Sequence, residues 1–550
     1  MVAMFFVHCD RTGSDTEVSH SSGVGVSDTL TLKVMATADV HGRVRAWDYY
    51  RDQPQPRYAF SKAATLIDSI RSLYPNHLLL DSGDWLQGNP FAEYFAQHDP
   101  QNRHYPFLQV VDDLEYDAIV LGNHEFNFGL DYLNRQIEMT QTPVLGGNIY
   151  KYQTEEPAYT PYVIREVDGI RIAIIGLTTP GSAVWDRSHV EGVLDFGQGP
   201  SAAERLVTQA KEEDRADLVV VLAHSGLDGE SSYHREDLGT EHFGRAVGEQ
   251  VAGVDLLVLG HTHRAMDGVT LEGPDGGDVA VVQPGRWAST LGVASLETVR
   301  HSDGTVEVID HYTRNYSVED VKEHPGVVQM TEQAHQEVVE FVTEPIAETA
   351  DHWTAENARR KPTPIIDLIN EVQMEVTGAE LSAAAAFVTS VSFGPGPITR
   401  GDINLLYPYY NTLYKLEISG AQLREFLEYT SQYYLSVSEQ HDQPEVNPDW
   451  AGFNYDMVSG VEYVLDLRED AGQRVTLLEY NGRPVSNDDL FTIAINSYRA
   501  EGGGGFEMLE NARVIEHIDR SVGDMILEYL QQKREIGHED VYEDNWQLAY

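Results

Sequence analysis

The amino-acid sequence predicts an α/β protein of two domains, and three observations lead to that expectation. A chain of 550 residues is longer than a single ordinary core. Between residues 29 and 310, apolar stretches with strand character alternate with helical stretches and end abruptly in polar residues. After about residue 345 a different order of helices, strands and aromatic loops begins. The first pattern predicts a largely parallel sheet covered on both faces, with ligands beyond the strand ends.

Composition limits the classes of protein and of partner. Hydrophobic residues make up 41% of the chain, which is enough for globular packing and argues against disorder. The formal charge is −50, from 88 acidic and 38 basic residues, so we expect neither nucleic acid nor an anionic membrane surface as partner. No segment beyond the amino terminus is long and apolar enough to span a bilayer. An acidic surface with far more Arg than Lys indicates a halophilic protein, a hypothesis that thermal stability rising from low to molar salt would support.

Residues 1–28 are predicted to be a flexible lead-in, because they become rich in Ser, Gly and Asp after a short apolar opening. The opening lacks basic residues and is short for a signal sequence. Two alternatives therefore remain for the compartment: the protein is cytoplasmic, or its true start or export signal has been lost. Cys9 is the single cysteine. It excludes an intramolecular disulfide framework and a zinc site made of cysteines.

The first two predicted strands end in acidic residues and a histidine. Leu30–Ala36 alternates like a strand and leads to Asp39 and His41. These two lie two positions apart, so in an extended segment both point to one side and could chelate one metal. The next strand, His77–Leu80, leads to Asp84, a carboxylate suited to bridge two cations. Each motif alone fits an ordinary acidic or capped turn equally well.

The third strand end carries an amide and a histidine side by side. Ala118–Leu121 reads as a buried strand and is followed by Asn123 and His124. Asn123 offers a hard oxygen to a metal, while His124 can act on whatever the metal holds. The alternative is a Gly/Asn turn with a surface histidine, and this stretch alone does not decide between the two.

Two later strands also end in histidines. Leu218–Ala223 ends in His224, and Val254–Leu259 leads to His261 and His263, which repeat the spacing of the first pair. The five motifs, in this order, resemble those of the calcineurin-like metallophosphoesterases over roughly residues 29–310. The resemblance implies a β-sandwich-like α/β core with helices on both faces.

The carboxy-terminal part reads as a second, mixed α/β domain. The helices expected from apolar periodicity along the chain are 59–73, 323–342, 364–376, 420–434 and 522–533. Aromatic residues stand near glycines in two loops, at Phe453 and at Tyr498, and the second loop continues through Arg499, Gly502, Gly503 and Gly504. Glycines let a flat ligand approach the backbone closely, and two rings can stack on its faces. Core aromatics beside a mobile loop are the alternative.

This second part resembles the carboxy-terminal domain of the 5′-nucleotidase family over roughly residues 345–550. The expected domains are therefore 29–322 and 346–550, joined by a connecting helix over 323–345. Three details resemble the 2′,3′-cyclic-nucleotide 2′-phosphodiesterase/3′-nucleotidase branch more than true 5′-nucleotidases. Asn127 replaces the usual Asp, 381–387 replaces a Gly-Gly-Ile-Arg segment, and the chain ends in the 544–549 motif.

The resemblance assigns a role to each predicted site residue. It implies two divalent ions (Mn, Zn, Co or Fe), with Asp84 shared between them. The expected ligands are Asp39, His41, Asp84 and His263 for one ion, and Asp84, Asn123, His224 and His261 for the other. His124 would stabilise or protonate the leaving oxygen, with Asn127 beside it. Phe453 and Tyr498 would hold the nucleoside base, next to Arg499 and Gly502–Gly504.

The implied reaction is hydrolysis of nucleoside 2′,3′-cyclic phosphates to 3′-nucleotides, and then of 3′-nucleotides to nucleoside and phosphate, by a monomeric enzyme. Because an amide supports an imidazolium less than a carboxylate does, Asn127→Asp is expected to move the alkaline limb of the pH–rate profile to higher pH. A 5′-nucleotidase or nucleotide-sugar hydrolase is the alternative within enzymes. A nucleotide-binding module without catalysis is the alternative outside them. Family members are usually exported, to the periplasm or the outside of the cell.

Overall fold

A computed structural model describes residues 28–99, 101–233, 235–437, 444–509 and 511–550. All of the predicted lead-in except Asp28, together with Cys9, lies outside these residues; Asp28 begins the first strand. Among the described helices, none combines the length and the apolar character needed to cross a membrane.

The amino-terminal part is built on two six-stranded sheets. In spatial order the first consists of Val306–Ser317, Thr290–Arg300, Asp28–Thr37, His77–Asp81, Ala118–Val120 and Val144–Leu145. The second consists of Ala265–Glu272, Asp278–Pro284, Leu256–Leu259, Leu218–His224, Ile170–Thr178 and Tyr162–Val167. In the first sheet the pairs from Asp28–Thr37 to Val144–Leu145 are parallel and the two pairs at the opposite edge are antiparallel. In the second sheet the three middle pairs are parallel and the pair at each edge is antiparallel.

The two sheets pack face to face, and helices cover both outer faces. Side chains of neighbouring residues alternate between layers: Val34 packs between the sheets and Met35 under the helices, and both are fully buried. The first sheet is covered by Phe60–Arg71, Pro90–Glu93, Pro106–Asp113 and Leu130–Met139, the second by Gly199–Glu212 and Gly244–Gln250. The predicted sandwich-like core with helices on both faces is confirmed.

One expectation from strand pattern alone needs correction, because the strands form two mixed sheets instead of one largely parallel sheet. Strands buried on both faces read as continuous apolar runs, whichever sheet they belong to. Ile174 faces the other sheet and Ile175 faces the helices, so the run 172–177 carries no alternation that could assign it.

The carboxy-terminal part has its own core, which extends from Ile346 to Trp546. A five-stranded sheet contains Asp456–Ser459, Leu381–Ala385, Leu490–Asn496, Leu413–Ser419 and Arg513–Ile518. A four-stranded sheet contains Arg483–Pro484, Val475–Tyr480, Glu462–Asp466 and Trp546–Ala549. The α-helices are Pro364–Thr377, Arg400–Leu406, Gly420–Thr430, Ser497–Ala500 and Val522–Lys533. The mixed α/β prediction is confirmed.

Four short strand pairs complete the described part of the chain. They are Trp47–Asp48 with Gln53–Pro54, Ile149–Lys151 with Leu194–Phe196, Pro345–Thr349 with Gly396–Thr399, and Trp353–Thr354 with Ser392–Phe393. Two one-turn helices, Ser182–Trp185 and Arg187–Val190, lie beside the strand Leu194–Phe196.

The segment predicted as one connecting helix, 323–345, contains two helices, Pro325–Met330 and Glu332–Val342. The chain bends at Thr331, whose hydroxyl donates to the Val327 carbonyl. Val338 and Val342 pack with the amino-terminal core, so these helices continue that core. The domain boundaries at 322 and 346 stay a prediction.

Asp367, in the first turn of the helix Pro364–Thr377, is a buried carboxylate in the carboxy-terminal core. Burial raises its pKa from 3.8 to about 7, although the Glu543 N–H donates a hydrogen bond to it. The folded protein therefore binds this proton more tightly than the unfolded chain does. The stabilisation is complete below the unfolded pKa and is lost as the pH rises through about 7.

Asp367→Asn is expected to remove this pH dependence. Between about pH 5.5 and 8, its free energy of unfolding should rise relative to that of the unmodified protein by about 2 kcal/mol. Urea unfolding at fixed salt measures the difference. Asp544→Asn, at an exposed position of the same domain, is the control for loss of charge. Parallel pH profiles for Asp367→Asn and the unmodified protein would contradict the assignment.

Candidate metal centre and interdomain cleft

Seven side chains that the sequence singled out converge where five strands of the two sheets end. They follow or end the strands Asp28–Thr37, His77–Asp81, Ala118–Val120, Leu218–His224 and Leu256–Leu259. The side chains are Asp39, His41, Asp84, Asn123, His224, His261 and His263. Sequence proximity does not explain this, because the residues span 225 positions of the chain; the parallel register of the central strands does.

Four of the seven form a first group, made of Asp39, His41, Asp84 and His263. One ligand atom from each lies within 4.8 Å of the others. His41 Nε2 is 3.0 Å from His263 Nε2 and 3.9 Å from Asp84 Oδ2, and His263 Nε2 is 3.6 Å from Asp39 Oδ1. Two imidazole nitrogens and two carboxylate oxygens therefore face one point.

The second group shares Asp84 with the first. His224 Nε2 lies 3.1 Å from Asp84 Oδ2, and His261 belongs to the same cluster. Asn123 Oδ1 lies 3.2 Å from His224 Nε2 and 2.9 Å from His261 Nδ1. The amide oxygen thus joins two imidazoles and one carboxylate around a second point.

The protonation of these groups suits a cation. Burial lowers the pKa of His41 to about 3 and that of His263 to about 2, so both rings are neutral and can offer lone pairs. Burial opposes the charge of His224, but Asp84 raises its pKa to about 10. A divalent ion would replace that proton beside Asp84. Neutral imidazoles, carboxylates and an amide oxygen form a donor set that fits a divalent metal.

The backbone at the site is strained. Asp39, His41, Asp84, His261 and His263 all have positive φ, between 49° and 71°. Such conformations are uncommon outside glycine and cost about 1–3 kcal/mol each. Five such residues within one cluster indicate that the loops keep a strained backbone because it directs these side chains toward one another.

Several residues that the sequence analysis did not assign hold the clustered imidazoles in place. The second nitrogens of His41 and His224 contact the carbonyls of Gln87 and Ser82, at 2.9 Å and 2.6 Å. The Nε2 of His261 lies 2.7 Å from Glu241 Oε1. Contacts of this kind fix the orientation of a metal-ligating imidazole. Glu241 lies in a loop without any strand-end pattern, so no sequence signal marks it.

Glu125 organises the loop that carries Asp84. Its buried carboxylate accepts hydrogen bonds from four backbone N–H groups, those of Asp84, Trp85, Leu86 and Gly122, at 2.6–3.0 Å. It stands inside the same Gly-Asn-His-Glu run as Asn123 and His124, and that position is the signal by which it could have been found.

His124 lies beside the first group, with its ring centroid 5.2 Å from that of His41. Its Nδ1 is 2.6 Å from Asn127 Oδ1. Within the described residues its Nε2 has no hydrogen-bond partner, and His124 lines a cleft between the two domains. The ring can therefore reach a bound molecule while Asn127 holds its other edge.

The cleft has a volume of about 340 Å³ and receives residues from both domains. His124, Asn127, His261 and His263 line one side, and Phe387, Tyr409, Phe453 and Tyr498 line the other. The domains also touch where Gln87 Nε2 donates to the Pro408 carbonyl at 3.1 Å. The space is sufficient for a small organic ligand that spans from the clustered histidines to the aromatic rings.

The two aromatic rings singled out by the sequence are neighbours. The centroids of Phe453 and Tyr498 are 6.5 Å apart, and their planes meet at 78°. A flat ligand can stack between the two rings, as predicted, only if the rings are nearly parallel. One of them would therefore have to turn. Phe453 is 39% exposed and is the ring with freedom to do so.

Arg499 and the glycines lie beside the aromatic pair, and Arg499 is one of the residues that line the cleft. Arg499 is buried, and its guanidinium pairs with Asp456 at 2.6 Å and donates to the Phe453 carbonyl. A Cβ on Gly503 would lie 2.6 Å from the Tyr498 ring, and one on Gly504 would lie 2.8 Å from Arg499 Nη1. Gly502 has a φ of 94°. Arg499 therefore joins the cleft to the loop of Phe453, and the glycines leave room for the Tyr498 ring and the Arg499 guanidinium; a role of these residues in binding a ligand stays a prediction.

Comparison with known proteins agrees with this architecture. Residues 32–265 match the calcineurin-like phosphoesterase family, and residues 343–511 match the 5′-nucleotidase carboxy-terminal domain. A 2′,3′-cyclic-nucleotide 2′-phosphodiesterase/3′-nucleotidase of Haemophilus influenzae is 30% identical over 87% of this chain and 81% of its own.

Two further similarities extend over nearly the whole chain. The trifunctional nucleotide phosphoesterase YfkN of Bacillus subtilis is 28% identical over 94% of this chain, which spans only 39% of that longer protein. A Staphylococcus aureus protein crystallised with α-ketoglutarate, and described provisionally as a 5′-nucleotidase, is 26% identical, with a TM-score of 0.80 over 94% of this chain and all of that one. The chain therefore belongs to the 5′-nucleotidase family, among the proteins named 2′,3′-cyclic-nucleotide 2′-phosphodiesterase/3′-nucleotidase, and is a hydrolase of phosphoester bonds that binds divalent metal.

Proposed function

We propose that this protein hydrolyses nucleoside 2′,3′-cyclic phosphates to 3′-nucleotides, and then hydrolyses 3′-nucleotides to nucleoside and phosphate. The observation that carries the proposal is the single cleft that joins His124 and the clustered ligands to Phe453 and Tyr498. A nucleotide would use both ends of this cleft, because its phosphate binds cations and its base stacks on aromatic rings.

Two divalent ions would be held by the two groups of side chains that share Asp84. Manganese, zinc, cobalt and iron all accept such mixed nitrogen and oxygen donors. When bound, the ions supply Lewis acidity to the phosphoryl oxygens and to water. Metal analysis of the purified protein should find about two ions per chain.

The protein's own residues supply the proton chemistry and the binding of the base. His124 lines the cleft, and its imidazolium form would give the proton on Nε2 to the departing ribose oxygen, which leaves a neutral ring with its hydrogen on Nδ1. Asn127 Oδ1 lies 2.6 Å from Nδ1 and holds the ring in that direction. Phe453 and Tyr498 would bind the base through stacking, which tolerates all four bases.

The preference for cyclic and 3′ substrates is supported by the wall near 381–387. The strand Leu381–Ala385 is buried throughout and carries small residues, and Phe387 follows it into the cleft. The wall thus presents an aromatic ring in the segment that, by the resemblance, replaces a Gly-Gly-Ile-Arg segment of true 5′-nucleotidases. An apolar wall there suits a nucleoside with one phosphate more than a substrate with a chain of phosphates.

The decisive assay is phosphate release from 2′,3′-cyclic AMP, 3′-AMP and 5′-AMP, with manganese present and salt varied. Release from the first two, with little from 5′-AMP, is the expected result. Preference for 5′-AMP would assign the protein to the 5′-nucleotidases and leave the metal chemistry intact. An absence of release from all three would overturn the proposal.

Phe453→Ala and Tyr498→Ala test the binding of the base separately. Each is expected to raise KM for 3′-AMP about 10- to 100-fold with kcat nearly unchanged, since one stacking contact contributes about 1–3 kcal/mol. Steady-state kinetics measure both constants. Tyr542→Ala, which removes an exposed ring of the same domain outside the cleft, is the matched control. An unchanged KM in both cleft variants would place the base elsewhere.

A further inference from the structure

Asn127 is bonded on both sides, and its second partner is Asp186. Asn127 Oδ1 lies 2.6 Å from His124 Nδ1, while Asn127 Nδ2 donates to Asp186 Oδ1 at 2.6 Å. Asp186 is only 3% exposed and stands 59 positions further along the chain. The amide therefore connects the cleft histidine to a buried carboxylate that the sequence analysis did not identify.

Asp186 does little for the local backbone. It lies between the short helices Ser182–Trp185 and Arg187–Val190, at a position where an aspartate side chain commonly caps the second helix. Its side chain makes no capping hydrogen bond. One carboxylate oxygen contacts Asn127, and the other has no hydrogen-bond partner among the described residues. Burial raises the pKa of Asp186 well above its usual range, so its position is unfavourable for the charged form.

The chemistry of the three groups sets the direction of the hydrogen bonds between them. In the structure Asn127 presents its NH₂ group to Asp186, whose Oδ1 accepts the hydrogen bond. The amide oxygen then faces His124, and Nδ1 of His124 must carry the hydrogen between them. Nε2, the nitrogen that faces the cleft, is thereby left as the atom that exchanges a proton with a bound molecule.

We propose that Asp186 is a positioning residue that orients the Asn127 amide and, through it, fixes the tautomer of His124. The inference rests on the proposed function, because it gives His124 a proton to transfer. In a direct His–Asp pair the carboxylate contacts the imidazole. Here the Asn127 amide stands between the Asp186 carboxylate and the His124 imidazole and is polarised by them.

The alternative is a reversed amide, with Asn127 NH₂ towards His124. Nδ1 would then accept, Nε2 would carry the hydrogen, and Asp186 would have to be protonated and donate to Asn127 Oδ1. The two arrangements differ in the position of one hydrogen on the imidazole. That difference can be measured without any assay of activity.

The first experiment is ¹⁵N NMR of the unmodified protein labelled on histidine, with the His124 signals assigned by comparison with His124→Gln. The ¹⁵N shifts of the two ring nitrogens distinguish the tautomers. Hydrogen on Nδ1 in the neutral ring is expected, and hydrogen on Nε2 would overturn the inference. In Asp186→Asn, where both amides can donate, a mixture of the two tautomers is expected.

Kinetics provide the second test. Asp186→Asn is expected to lower kcat about 10- to 100-fold and to leave KM within about twofold. Glu191→Gln, which removes an exposed carboxylate from the same short segment, should leave both constants unchanged. An unchanged kcat in Asp186→Asn would overturn the inference.

The most discriminating test exchanges the side chains of Asn127 and Asp186. Asn127→Asp alone should be impaired, because it places a second carboxylate against the buried Asp186, and a pair that shares one proton supports the His124 imidazolium less than a free carboxylate does. The shift of the alkaline limb expected from the sequence therefore needs the double variant Asn127→Asp/Asp186→Asn. We expect this exchange to restore kcat to within about threefold of the unmodified enzyme.

Three outcomes separate the inference from the function on which it rests. A double variant no better than the product of its single variants would overturn the positioning role. Absence of phosphate release by the unmodified protein would overturn the proposed function, and the NMR result would still decide the tautomer. Variants that fail to fold would be detected by circular dichroism, and the NMR of the unmodified protein remains decisive in that case.

Discussion

Asp84→Asn is expected to lower kcat for phosphate release at least about 10³-fold and to reduce bound metal from about two ions per chain to one or none. Asp84 belongs to both groups of ligands, so one substitution weakens both proposed ion sites. An asparagine keeps the size of the side chain but loses the charge that would lie between two cations. Phosphate release and metal analysis of the same sample measure the two effects.

The matched control for Asp84→Asn is Asp255→Asn. Asp255 is a carboxylate that precedes the strand Leu256–Leu259, at the end of the sheet opposite to the cluster, and accepts a hydrogen bond from the Val219 N–H at 2.8 Å. Its substitution should change stability without changing metal content. Full metal content together with an unchanged kcat in Asp84→Asn would show that Asp84 is not shared between two ions.

Gly122→Ala is expected to lower kcat about 10²-fold or more through the addition of one methyl group. A Cβ at this position would lie 2.2 Å from Asp84 Oδ1 and 2.6 Å from the Asp84 nitrogen. Distances below 3.0 Å are not tolerated, so the Asp84 loop must move. A displacement of about 1 Å at a reacting centre is sufficient for a loss of this size.

Kinetics and thermal unfolding with and without manganese would test Gly122→Ala. The stabilisation by manganese should fall with kcat, since the carboxylate proposed to bind the ion is the group displaced. Gly277→Ala is the control, because its Cβ would meet only Asp275 Oδ1, at 3.4 Å. If Gly122→Ala retained kcat and the response to manganese, the site would tolerate a shift of Asp84 that we exclude.

The sequence by itself determined which side chains stand at strand ends and therefore which could meet. The apolar runs before Asp84 and Asn123 predict buried strands, and parallel strands bring their carboxyl ends to one edge. The same reasoning places His224 and His261 there. Helix bounds also follow from local pattern, and the predicted helix 522–533 is observed as Val522–Lys533.

The tertiary structure decided what has no local signal. Two sheets share the strands because apolar runs buried on both faces do not reveal the sheet to which they belong. The pairing of Arg499 with Asp456 is one example, since a buried guanidinium needs a partner that only the fold supplies.

The same holds for the residues that orient the site. The carboxylates of Glu241 and Asp186 contact side chains that stand 20 and 59 positions away in the chain. Spacing of residues along a strand or helix encodes the side on which a side chain lies, so the sequence indicates the ligands. It does not encode which loop from another part of the chain comes within 3 Å of them, because that distance is set by the packing of two sheets and two domains.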